Sequence, residues 1–98
     1  MKNVLNDFDK AFENRIRLGV MSALVVNDFV DFNTLKELLS VTDGNLASHL
    51  KSLEKSNYII YEKKFFERKA NTSYSATELG KKAFIKHLQA IEHLIKQL

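Results

Sequence analysis

Asn45, Ser48, His49 and Ser52 are short polar side chains that gather on one side of a helix at about 100° per residue. Groups of this kind reach the edges of bases in a duplex groove: Asn pairs bidentately with adenine, and Ser accepts several partners. Around them stand Thr42, Lys51, Lys55, Arg68 and Lys69, a hydroxyl and four cations of the sort that hold phosphates and fix register. Taken singly, each cation is an ordinary solvated charge, and Ser48 and Ser52 read as a wet helix face. Their joint placement is what points to DNA. His49 has two roles open, a base or phosphate contact, or packing against the first helix. Thr42 and Asp43 are helix caps first, and Gly44 leaves room for a backbone to come close.

A helix must carry these groups, and Leu46, Leu50 and Leu53, spaced four and three apart, supply its apolar seam over residues 43–56. Upstream, residues 34–39 form a second short helix, capped by Asn33 and burying Leu35, Leu38 and Leu39. Two short helices around a tight junction near Val41 are the helix-turn-helix arrangement, whose second helix enters the major groove. Ahead of them, Phe8, Phe12, Ile16, Val20, Ala23 and Leu24 predict an amphipathic helix over 9–26. Gly19 costs that helix about 1 kcal/mol and admits a neighbouring helix. Residues 29–32 read as a very short extended piece, and Asn57 stands where a left-handed residue ends a helix.

From Tyr58 the apolar period becomes two. This predicts a two-stranded β-hairpin over 58–76, with an exposed charged tip at 67–71, the aromatics of one face in the core, and Phe65 or Phe66 at the base of the wing. Thr77 then caps a final helix over 78–97. The fold class is α+β, mainly α. Phe84, Leu88, Ile91, Ile95 and Leu98 step by four, three, four and three, a heptad seam. Such a stripe serves either the chain's own core or a second copy. A helix of about 30 Å, at 1.5 Å per residue, exceeds what this domain needs to cover itself, which favours a homodimer.

Ninety-eight residues make one domain, 1–98, without room for a separate catalytic or ligand-binding module. With no cysteine there are no disulfides or thiolate metal sites, which fits a reducing cytoplasm. The polar, acidic N-terminus lacks the apolar run of a signal peptide, and no stretch is long enough to cross a membrane. The net charge of +3 is mild, but it is distributed unevenly. Lys51, Lys55, Lys63, Lys64, Arg68, Lys69, Lys81 and Lys82 lie in the second half, while Asp7, Asp9, Glu13, Asp28 and Asp31 crowd the first. His87 and His93 stand on different helix faces, so no metal and no cofactor is expected. The absence of a phosphate loop, a nucleophile triad or a paired carboxylate argues against an enzyme. The aromatics Tyr58, Tyr61, Phe65, Phe66 and Tyr74 read as core rather than as stacking platforms for single strands.

With these elements in order, residues 15–88 resemble the winged-helix regulators of the MarR, ArsR and PadR type, above all the small stand-alone winged-helix DNA-binding proteins. Four stretches carry the resemblance: RLGVMSAL from Arg17, DFNTLKELL from Asp31, TDGNLASHLKSLE from Thr42 and YSATELG from Tyr74. The resemblance implies a dimeric, sequence-specific double-stranded DNA-binding transcription regulator, a repressor by preference, sometimes answering to a small-molecule effector. It further implies that the 43–56 helix reads the major groove, the hairpin wing touches phosphates or the minor groove, and the terminal helices form a two-fold dimer. Asn57 replaces the family's usual glycine, and Glu67-Arg68-Lys69 replaces a glycine- or proline-bearing wing tip. The alternative is a winged helix that docks on protein without binding DNA.

Overall fold

The computed structural model describes residues 3–97, with Phe66 described by its backbone alone; the expectation at Leu98 lies outside the described residues. Four helices and a three-stranded sheet follow one another as α1 (Arg15–Leu24), β1 (Val30–Asp31), α2 (Phe32–Leu39), α3 (Asp43–Lys55), β2 (Ile59–Phe66), β3 (Lys69–Ala76) and α4 (Glu78–Lys96). Two 3-10 turns, Val4–Asp7 and Lys10–Phe12, precede α1. The sheet is antiparallel in the order β1-β3-β2, with Val30 opposite Tyr74 and Ile59 opposite Ala76. This is the expected α+β winged-helix class.

One core unites these elements. α1 contributes Val20, Met21 and Leu24, α2 contributes Leu35, and the α3 seam of Leu46, Leu50 and Leu53 is fully buried beside them. Ile59 of β2, Tyr74 of β3 and Phe84 of α4 close the cluster. Burying a side chain of this size is worth about 1.5–3 kcal/mol, so the seam of α3 fixes which face of that helix turns outward.

The first helix is shorter than the apolar spacing predicts, 15–24 instead of 9–26. Short polar side chains break it. Asp9 accepts a hydrogen bond from the Ala11 amide, and Asn14, itself in extended backbone, accepts from the amides of Ile16 and Arg17. Such local bonds compete with helix propagation, and Phe8 and Phe12 turn instead toward α4, where both rings meet His87. The second helix is longer than expected, because Asp31 rather than Asn33 caps it by accepting from the Thr34 amide at 2.7 Å. The same bond holds the Asp31 carboxyl below the usual carboxylate range. Leu38, expected in the core, is 62% exposed. Gly19 does receive a neighbour: Leu39 of α2 packs where a Cβ would stand.

The hairpin tip is a two-residue turn, Glu67-Arg68, and not the five-residue loop expected, because pairing continues to Phe66 opposite Lys69. Both turn residues have positive φ, 51° and 67°, the backbone sense of a type I′ hairpin turn that glycine or asparagine usually supplies. Asn57 also has positive φ, 62°. Phe65, expected at the base of the wing, is 80% exposed, because the outer half of the hairpin extends past the core.

Candidate nucleic-acid interface

Asn45, Ser48, Ser52, Lys51 and Lys55 are all exposed on α3, opposite the buried leucines. At about 100° per residue, Ser48 and Lys55 point straight away from the seam. Asn45 and Ser52 lie to one flank with His49, and Lys51 lies to the other with Ala47. Thr42 caps the helix, its Oγ1 accepting from the Asn45 amide at 3.2 Å, and the hydroxyl proton stays free to donate. Nothing lies within 4 Å of where a Cβ would stand on Gly44, so the start of α3 is open to a duplex backbone. Asp43 is engaged by Lys36 at 2.8 Å, an exposed pair worth little to stability.

His49 is half-buried and touches the first helix. Arg17 of α1 donates from Nη1 to His49 Nδ1 at 3.0 Å and from Nε to the Ala11 carbonyl at 2.7 Å. Burial, reinforced by the Arg17 charge, pushes the imidazole pKa down.

Between α3 and the hairpin lies a cleft of about 390 Å³, walled by Lys51 on the helix side and by Tyr61, Lys63 and Thr72 on the strand side. One ammonium group stands on the helix wall of the cleft, and a second with two hydroxyls on the strand wall. Glu54 also lines it, and with burial as the larger cause it raises the neighbouring Tyr74 phenol. Tyr61, Lys63 and Thr72 were not among the site residues expected from sequence. Alternation alone puts residues 61 and 63 on the same face as Ile59; that this face turns to α3 is set by the fold. Lys64 alternates to the other face and lies 5.3 Å over the Phe29 ring. Arg68 and Lys69 are exposed at the wing tip beside Phe65.

The expected seam on α4 divides in two. Phe84 is buried in the chain's own core, edge-on to Phe12 with ring centroids 5.3 Å apart. Leu88 is 44% exposed, Ile91 half-buried and Ile95 64% exposed. Of the two histidines on α4, His87 is buried and accepts from the Asp9 amide at 3.0 Å, while His93 is exposed. Among the described residues no group of three or more His, Cys, Asp or Glu side chains could hold a metal ion, and no helix is long and apolar enough to cross a membrane.

A helix-turn-helix whose second helix turns a polar face outward, with a hairpin beside it, defines the winged-helix class. The chain belongs to the winged helix DNA-binding domain family, whose signature spans residues 16–95. It is 33% identical to an uncharacterized protein of Methanocaldococcus jannaschii, over 91% of this chain and 97% of the relative. Among solved structures it is similar to a transcriptional regulator homologue from Pyrococcus horikoshii, with a TM-score of 0.82, 26% identity, and coverage of 89% of this chain and 86% of the other. The fold also matches that of NadR, solved in complex with 4-hydroxyphenylacetate, at a TM-score of 0.73 and 18% identity over 96% of this chain and 64% of NadR.

Proposed function

We propose that this chain is a dimeric, sequence-specific double-stranded DNA-binding transcription regulator that represses by occupying its operator. The observation that carries the reading is the exposed polar face of α3, flanked by the cleft in which Lys51 faces Lys63. Asn45, Ser48 and Ser52 meet base edges, His49 stands at their margin, and Thr42, Lys51, Lys55, Lys63, Arg68 and Lys69 hold phosphates. The regulator character accords with the Pyrococcus horikoshii homologue. Leu88, Ile91 and Ile95, on the side of α4 that continues from Phe84, pair with their counterparts in a second copy. Phe84 supports that contact from within the core.

A small-molecule effector has space in a cleft of about 590 Å³ beside α4, where Tyr58 and Leu79 lie near Lys82 and Lys86. The neighbour solved with 4-hydroxyphenylacetate supports this part of the reading. A protein-docking reading draws on one observation, the bare Phe65 ring next to Arg68.

Mobility shift in rising salt separates the two. Neutralised phosphates release counterions, so log affinity should fall linearly with log salt at a slope of about −0.9 per contact. Five cationic contacts per protomer, Lys51, Lys55, Lys63, Arg68 and Lys69, give a steep line. A flat line, or no shift with any duplex, contradicts DNA binding and leaves the protein-docking reading.

A further inference from the structure

We infer that Arg17 fixes the tautomer of His49 so that the recognition helix presents an Nε2–H donor to a purine N7, with guanine favoured. The inference deepens the DNA-binding reading and rests on it. A guanidinium carries only donors and is never deprotonated in proteins. The 3.0 Å contact between Arg17 Nη1 and His49 Nδ1 therefore requires Nδ1 to be the acceptor, with its lone pair toward Arg17. In a neutral imidazole the single ring proton must then sit on Nε2.

Arg17 is itself held in place. Its Nε bond to the Ala11 carbonyl at 2.7 Å and a longer one from Nη2 to the Lys10 carbonyl at 3.4 Å brace the guanidinium on two sides. Its stem rises from the first turn of α1, fixed by the Asn14 cap. No bond among the described residues uses His49 Nε2, and no side-chain polar atom there is both buried and unpartnered. Nε2 is accordingly reachable from solvent.

The result is a recognition helix with one donor whose polarity is set from another helix. In the major groove a donor finds the N7 acceptors of guanine and adenine and the O4 of thymine, where the neighbouring C5-methyl crowds the approach, and it clashes with the amino groups of cytosine N4 and adenine N6. Guanine places a second acceptor, O6, next to N7, which makes it the better partner. Arg17 acts through His49 and is a positioning residue.

The test has two arms. The first uses free protein: ¹⁵N imidazole spectra near neutral pH should show His49 as the Nε2–H tautomer alone, and Arg17→Met should convert it to a mixture. An Nδ1–H form or a mixture in the unaltered protein overturns the inference, whatever the DNA result. The second arm replaces purines one at a time by their 7-deaza analogues in a duplex obtained by selection. One position per half-site should lose about fivefold in affinity, the worth of one hydrogen bond. His49→Leu should abolish that dependence. His49→Gln should keep it, because the amide oxygen can accept from Arg17 while the amide nitrogen donates to N7. Binding with no His49-dependent position sinks this inference alone. Failure to bind any duplex sinks the DNA-binding reading and this inference with it.

Discussion

Asp9 and Tyr58 hold the N-terminal segment against the body of the domain, with the phenol donating to the Asp9 carboxylate at 2.6 Å. Burial, and then this bond and charge, push the Tyr58 phenol up to about 12. The folded value lies above the ordinary value of about 10, so the neutral phenol stabilises the fold in full below pH 10. That contribution fades as pH rises through about 12. Tyr58→Phe should cost about 1–2 kcal/mol near neutral pH, the worth of a half-exposed bond to a charged group. It should also flatten the alkaline decline seen in thermal melts of the unaltered protein. On the side proposed to face DNA, Lys51→Ala and Lys63→Ala should each weaken every sequence and shave about 1 from the salt slope. Asn45→Ala and Ser48→Ala should lose discrimination between sequences instead, at a cost of about 1–3 kcal/mol at one base pair. Competition binding with matched and mismatched duplexes distinguishes the two classes. The outward face of α3 was legible because buried Leu46, Leu50 and Leu53 define it locally. Lys63 was passed over because its relevance depends on which sheet face meets α3, a tertiary fact.

The elements meet at backbone distances that tolerate no side chain. A Cβ on Gly80, in the first turn of α4, would stand 2.1 Å from the Tyr58 carbonyl oxygen, the same oxygen that accepts from the Thr77 amide. Alanine normally gains about 1 kcal/mol over glycine in a helix. Here backbone must move, so Gly80→Ala should destabilise by about 2–3 kcal/mol in denaturant titrations. Gly19→Ala meets only the movable end of Leu39 and should stay within about 1 kcal/mol of neutral. The wing turn carries strain of its own, with Glu67 and Arg68 both at positive φ, where a residue with a Cβ pays roughly 1–2 kcal/mol. Arg68→Gly should therefore raise the melting temperature and lower DNA affinity, trading a phosphate contact for a relaxed turn. Helix boundaries were the least legible feature, for the same kind of reason. Asp9, Asn14 and Asp31 decide them through single side-chain-to-amide bonds that periodicity does not register. The turn was misread as a loop because its residues lack the glycine that marks such corners.

The whole molecule is elongated, with a radius of gyration of 14.9 Å against about 13 Å for a compact chain of 100 residues. Protruding parts with apolar surface seek cover, and the outer side of α4, with Leu88 and Ile95 exposed, is the part a second copy would cover. Leu88→Glu with Ile95→Glu should shift the mass in light scattering from dimer to monomer, and the melting temperature should fall and lose its dependence on protein concentration, because association no longer adds to stability. The division of the α4 seam between core and surface was not legible, because a heptad stripe reads the same in either role. Two recognition helices related by a two-fold axis demand two matching half-sites about 10 base pairs apart, centre to centre. Selection of bound duplexes from a random pool measures this directly. The account predicts an inverted repeat at that spacing. A single unpaired site, an irregular spacing or no enriched sequence would contradict it.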